Sequence, residues 1–280
     1  MQVVQTIPEL RAAVAQARAA GRTVGFVPTM GCLHAGHLAL VARARQEATF
    51  TVVSIFVNPT QFGPNEDFSR YPRTFEADRD ACATAGADLV FAPTPADFYA
   101  ADASTWVEVE GISAGLCGEF RPGHFRGVAT VVAMLFNAVQ ADVAVFGQKD
   151  LQQLAVIRRM VRDLHFPVRL IAHETVRESN GVAMSSRNRY LSPEDFQRAT
   201  AIPAALAEAR RLVAAGTTDA GQVRAAVTAR LAAEPALRLQ YVELVDRETM
   251  APVAQIAPGR CALAIACHLG NTRLIDNTEL

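Results

Sequence analysis

Lysine is almost absent from this chain. Of 27 basic residues in 280, one, Lys149, is a lysine and the rest are arginines. On a solvated face the two serve equally well, so compositional drift exchanges them there. They are not interchangeable where a compact ammonium on a flexible stem is needed. Chance survival is the plain reading of Lys149; its local sequence favours a functional one. Paired cysteines are missing as well. Cys32, Cys82, Cys117, Cys261 and Cys267 are odd in number and scattered, with no C-x-x-C pair. That argues against a disulfide framework or a zinc site and for reduced thiols in a cytoplasmic protein. No apolar run is long enough to span a bilayer. Residues 1–21 lack the basic-then-apolar order of a signal peptide and read as a helix. The formal net charge is -1, so nothing electrostatic points to nucleic acid or an anionic membrane as partner. Repeats, low-complexity tracts and long linkers are absent.

What is present is ordinary globular composition, half hydrophobic and a fifth charged, in a chain long enough to bury a substantial core. Thr6-Ile7-Pro8-Glu9 resembles a capping box with proline in the first turn. Short apolar runs then alternate with helical patterns: strands over 24–27, 50–57, 88–91, 143–146 and 168–171, helices over 36–47, about 74–85, 125–139 and 151–164. Such alternation predicts an α/β fold with a parallel sheet and helices on both faces. Right-handed crossovers put the strand-to-helix loops along one edge, where ligands of open sheets bind. After about residue 176 the texture changes. A helix starts at Ser192 with a kink expected at Pro203, a second covers about 219–233, and strands follow over 239–245, 261–268 and 272–276. The expected division is a first domain over 1–176 and a smaller C-terminal α+β domain over 177–280.

Five motifs carry chemistry. Residues 28–37, PTMGCLHAGH, join a strand to a helix. A helix N-terminus offers unpaired N–H groups and a positive dipole end to phosphate. His34 and His37, three apart, share one side of the first turn and can donate to phosphate oxygens. A zinc pair or simple helix capping is the plain alternative. Phe56-Val57-Asn58-Pro59-Thr60-Gln61-Phe62-Gly63 supplies neutral donors and acceptors, Asn58 and Gln61, suited to a small hydroxy acid; a turn held by Asn-Pro explains it locally as well. Gly147-Gln148-Lys149-Asp150 places the lone lysine at another strand-to-helix switch. Asp150 is there an N-cap or a ribose acceptor, and Gln153 lies one turn on. Met184-Ser185-Ser186-Arg187-Asn188 has the composition of a polyphosphate clamp. Arg121-Pro122-Gly123-His124-Phe125-Arg126-Gly127-Val128 is a turn and helix start or a second basic wall. Tyr71-Pro72-Arg73-Thr74 closes a polar loop, with Asp78 a turn later.

In this order the motifs resemble those of the pantothenate synthetase (pantoate–β-alanine ligase) family, within the HxGH nucleotidyltransferases, over nearly the whole chain. The resemblance implies a Rossmann-type doubly wound parallel sheet, a smaller C-terminal lid domain and a homodimer. It implies ATP-dependent condensation of pantoate with β-alanine to pantothenate, AMP and pyrophosphate through a pantoyl adenylate, with Mg2+. Position by position, His34 and His37 match phosphate-binding histidines, with His37 the candidate general acid. Lys149, Ser185, Ser186 and Arg187 match the triphosphate clamp. Gly147, Asp150, Val176 and Met184 match the nucleoside site. Met30, Gln61 and Gln153 match the pantoate pocket, with Asn58 and Arg121 as further substrate candidates, and Asp78 matches a magnesium-linked acidic position. The loop over 63–74 is a candidate cover that keeps water from the adenylate. Cys32 stands where the family usually has alanine, and Gln148 where many members have glutamate. Another HxGH enzyme with a different acid, or a silent nucleotide sensor, remains open at this point.

Overall fold

The computed structural model describes residues 1–64 and 66–280. Its main sheet has six parallel strands: β1 (Gln2–Val4), β2 (Val24–Thr29), β3 (Phe50–Ile55), β4 (Leu89–Phe91), β5 (Val143–Gly147) and β6 (Arg169–His173), in spatial order β1-β4-β3-β2-β5-β6. The run β4-β3-β2-β5-β6 has the 3-2-1-4-5 strand order of a doubly wound sheet, and the direction of travel reverses between β2 and β5. The connections carry α1 (Ile7–Ala19), α2 (Ala35–Glu47), α3 (Phe75–Thr84), the short α4 (Pro95–Phe98) and α5 (Cys117–Phe120), α6 (His124–Val139) and α7 (Leu151–Asp163).

Local chemistry sets these elements. Thr6 Oγ1 accepts from Glu9 N–H, and the Glu9 carboxylate accepts from Thr6 N–H, closing the capping box of α1. The N-terminus, expected to be helical throughout, begins instead with β1, whose Val3 pairs with Val90 of β4. A strand of three residues is too short for its period to show in the sequence. Strands β2 and β3 are buried almost throughout, as strands covered on both faces must be. Val27, Val53, Val90 and Val145 pack against Leu40, Val41 and Ala44 of α2. Helix α6 is buried along nearly its whole length. Its Gly127 is required by a close approach: a Cβ there would lie 2.4 Å from Thr60 O.

The chain gathers into two compact units. The first comprises Met1–Glu110, Arg121–Gln148 and Val156–Glu174; the second comprises Gly111–Phe120, Lys149–Ala155 and Thr175–Leu280. In the second, α8 (Pro193–Arg198), α9 (Ala201–Ala214) and α10 (Ala220–Ala232) precede an antiparallel sheet of β7 (Leu237–Asp246), β8 (Cys261–Leu269) and β9 (Thr272–Glu279). The kink expected at Pro203 falls earlier, between α8 and α9. Pro203 then sits in the first turn of α9, where a missing N–H costs little. Leu206, Val223, Val227 and Leu231 cluster with Leu263, Ile265 and Leu269 on one face of this sheet. The other face presents Ala262, Ala264 and Ala266, all buried. There Tyr241 stacks on Phe120, 6.1 Å between ring centroids. Among the described residues no helix is long and apolar enough to cross a membrane.

Candidate active site

In the first unit the PTMGCLHAGH segment leaves the carboxyl end of β2, beside the point where the sheet reverses direction. Open α/β sheets bind ligands at that point. The turn is strained. Gly31 has φ +76° and Cys32 φ +51°, and a left-handed conformation is costly for a residue with a side chain. Asp78 holds it in place. Its Oδ2 accepts from Cys32 N–H at 2.8 Å and from Thr74 Oγ1 at 3.1 Å, and its Oδ1 accepts from Leu33 N–H at 2.7 Å. The carboxylate is 3% exposed, and a Cβ at Gly31 would lie 2.9 Å from its Oδ2.

The two histidines follow at the start of α2. His34 Nδ1 accepts from Gly36 N–H at 3.1 Å, and His37 Nδ1 accepts from His34 N–H at 3.3 Å. Their rings lie 4.1 Å apart. A neutral imidazole that accepts at Nδ1 carries its proton at Nε2. Capping therefore fixes the tautomer, with Nε2–H the donor of each ring. Gly147 ends β5 on the other side of the reversal point, and a Cβ there would meet nothing within 4 Å.

The neutral residues form a chain of bonds. Asn58, 1% exposed, donates through Nδ2 to Gln61 Oε1 and to Gly127 O, each at 3.2 Å. Its Oδ1 accepts from Tyr99 OH at 2.8 Å and from Thr60 Oγ1 at 3.0 Å. That assigns both ends of the Asn58 amide. Gln61 must then accept at Oε1 and donate at Nε2, which reaches Met30 Sδ at 2.8 Å. Asn58, expected to touch substrate, instead sets the orientation of Gln61. Burial pushes the Tyr99 phenol up, outweighing the Thr60 bond, so it stays a donor.

Arg121, also expected at the substrate, forms a fork with Glu66 at 2.7 and 2.5 Å. Its Nη1 lies 3.0 Å from His124 Nε2. A guanidinium only donates, so His124 accepts at Nε2 and donates from Nδ1 to Gln61 O at 2.8 Å. Burial pushes the Glu66 carboxyl up, but the Arg121 bond and charge outweigh it and hold it below the usual carboxylate range. Within the expected covering loop, Glu66 is thus tied to Arg121; Asn65 lies outside the described residues.

In the second unit, Lys149 Nζ lies 3.7 Å from Asp150 Oδ1, and Lys149 O accepts from Asn277 Nδ2 at 2.8 Å. Val176 and Met184 are joined, Met184 N–H donating to Val176 O at 3.0 Å. Ser185 Oγ accepts from Arg187 N–H at 3.3 Å, while Ser186 is buried. Gln153 is half-buried. Its neighbour Gln152 is consumed in structure, with bonds to Cys117 N, Ile112 O and Gly115 O.

Asp78 does not fit the expected magnesium role, since both its oxygens are taken by donors. Among the described residues no group of three or more His, Cys, Asp or Glu is placed to hold a metal ion. Sequence reading missed Tyr99, Glu66 and Asn277. A lone tyrosine and a lone glutamate carry no local pattern; Asn277 sits at a strand position that period-two spacing marks only as belonging to one face.

The family model of pantoate-beta-alanine ligases matches residues 2–279. A pantothenate synthetase of Moorella thermoacetica is 53% identical over 280 residues, covering 100% of this chain and 99% of that one. Pantothenate synthetase 1 of Bradyrhizobium diazoefficiens is 52% identical, covering 100% and 98%. Among solved structures, a pantothenate synthetase of Thermus thermophilus superposes with a TM-score of 0.95 at 48% identity, covering 100% of this chain and 99% of that one. Pantoate-beta-alanine ligase of Francisella tularensis, complexed with beta-gamma ATP and beta-alanine, gives 0.80 at 29% identity, covering 100% and 97%.

Proposed function

The chain belongs to the pantoate-beta-alanine ligase family and is a ligase, and on that premise we propose how its residues carry the reaction. ATP drives the condensation of pantoate with β-alanine in two steps. A carboxylate oxygen of pantoate attacks the α-phosphorus of ATP, and pyrophosphate leaves. The β-alanine amine then attacks the acyl carbon of the pantoyl adenylate, and AMP leaves carrying that oxygen.

The observation that carries this reading is the fixed tautomer of His34 and His37. Two Nε2–H donors at the start of a helix, beside the reversal point of the sheet, form an anion site that needs no metal cage. Both first-step reactants are anions, so donors and cations must offset their repulsion and stabilise charge as it builds on the phosphoryl oxygens. We assign that work to His34, His37, Lys149, Ser185, Ser186 and Arg187. His37, neutral while its Nδ1 accepts from His34 N–H, donates a hydrogen bond from Nε2 toward the leaving pyrophosphate and is not the general acid that the resemblance implied. Gly147, Asp150, Val176 and Met184 take the nucleoside. Gln61, oriented by Asn58, donates from Nε2 to pantoate beside Met30, and Gln153 is assigned to pantoate on the family resemblance. Magnesium would come with ATP, held by phosphate oxygens and water rather than by Asp78. Five cysteines without a disulfide fit a cytoplasmic location, and a homodimer follows from the family resemblance alone.

Isotope transfer tests the route. Pantoate labelled with 18O in its carboxylate should deliver one labelled oxygen to AMP. Label appearing in inorganic phosphate would mean an acyl phosphate route and would overturn the proposal.

A further inference from the structure

Asp276 and Asn277 are adjacent in β9, so their side chains leave opposite faces of the small sheet. Asn277 shares a face with Ala264, its register partner, and its amide holds the Lys149 carbonyl at 2.8 Å. Asp276, 3% exposed, takes a fork from Arg177: Nη1 to Oδ2 at 2.7 Å and Nη2 to Oδ1 at 3.1 Å. Arg177 Nη1 also donates to Gly181 O at 3.0 Å. Arg177 belongs to a narrow hairpin. It bridges Ala183, Glu178 N–H donates to Val182 O at 2.8 Å, and Met184 N–H donates to Val176 O at 3.0 Å. Met184 leads directly into Ser185, Ser186 and Arg187, and Asn188 Nδ2 returns to Ala183 O at 3.1 Å. Two consecutive residues of one strand therefore hold both stretches assigned above to the triphosphate.

We infer that Asp276 and Asn277 are positioning residues for the nucleotide clamp. Asn277 acts through Lys149, and Asp276 acts through Arg177 on the segment that carries Ser185 to Arg187. The inference rests on the proposed phosphate-binding role of those residues. Charge stabilises a transition state most when it is placed in advance. A lysine on a flexible stem is not so placed unless its backbone is fixed. The Arg177–Asp276 fork resists rotation as well as displacement, so the hairpin presents its clamp in one orientation.

The test uses the full chain with Asn277→Ala, Asn277→Asp, Lys149→Ala and the Lys149→Ala/Asn277→Ala double variant. Pantoate-dependent ATP–pyrophosphate exchange and equilibrium binding of ATP are measured for each. Asn277→Ala should lower the exchange kcat about tenfold, the worth of one hydrogen bond realised at the transition state, with KM for pantoate unchanged. Asn277→Asp keeps the shape but sets an acceptor against a carbonyl, and should be at least as slow. In the double variant ATP should bind no more weakly than in Lys149→Ala alone. A loss of ATP affinity from Asn277→Ala that persists in full without the lysine would overturn the positioning role and leave that of Lys149 standing. Near-normal exchange by Lys149→Ala would overturn the underlying reading itself. Breaking the buried ion pair risks the fold, so Arg177→Lys, which keeps charge but loses the fork, probes the other arm. It should raise KM for ATP about threefold at an unchanged KM for pantoate. A rise in both would mark general damage and would overturn the Asp276 role.

Discussion

Residues 31–33 and residue 149 are both gripped by side chains from distant parts of the chain, but with opposite polarity. At 31–33 the grip is a buried carboxylate, Asp78, on two backbone N–H groups. At 149 it is a neutral amide, Asn277, on one backbone carbonyl. Local backbone explains the difference. Gly31 and Cys32 are both left-handed, a conformation costing about 1–2 kcal/mol at a residue with a side chain. A charge-assisted pair of bonds offsets that cost; a single neutral bond does not. Lys149 sits in a short helical turn, Gln148–Asp150, and needs orientation rather than restraint.

The comparison is broken or sharpened by substitution. Lys149→Ala removes the only ammonium side chain and should lower pantoate-dependent exchange at least about a hundredfold with the circular dichroism spectrum intact; turnover within a few fold of wild type would remove it from the clamp. Asp78→Asn leaves one of the two N–H groups facing an amide N–H. It should cost about 2–4 kcal/mol in urea unfolding and slow exchange about tenfold. Asn277→Ala should cost less than about 1.5 kcal/mol. Equal costs at the two sites would sink the distinction between restraint and orientation. Gly127→Ala forces the turn Pro59–Gln61 to move, because Thr60 O lies where the methyl must go. KM for pantoate should rise about tenfold, while KM for ATP holds. Tyr99→Phe removes one bond to Asn58 and should raise KM for pantoate about threefold.

The smallest expected effect is a pH dependence. Glu66 is held below the usual carboxylate range in the folded chain, so the folded state favours its charged form. Its contribution is present above the ordinary glutamate pKa, about 4.3, and is lost as pH falls through the lower folded value. The difference in urea-unfolding free energy between wild type and Glu66→Gln should shrink below about pH 4 and stay under about 1 kcal/mol above it. A difference growing in acid would reverse the sign.

Much of this was legible in the sequence because local rules agreed. Thr6-Ile7-Pro8-Glu9 folded as the capping box it spells, and the switches into α2, α3 and α7 fell within a few residues of their expected places, while the short α4 and α5 after β4 were not expected. Motif order indicated a ligase of this family, and the family model spans nearly the whole chain. What escaped reading depends on pairing at long range. Asp78 carries the spacing of an acidic site residue, yet the donors that fill its oxygens come from a loop some forty-five residues away in sequence. Asn58 and Gln61 look alike in sequence. Tyr99 and Gly127 O decide that one orients and the other donates. The segments 111–120 and 149–155 group with the C-terminal sheet; alanines at 262, 264 and 266 leave a face that backbone can approach, and no composition shift marks them.

The most direct test is ATP–pyrophosphate exchange with each acid supplied alone. Pantoate without β-alanine should support exchange, and adding β-alanine should convert it to net formation of AMP and pantothenate. Exchange that requires β-alanine, or that only another carboxylic acid supports, would contradict a pantoyl adenylate held on this chain.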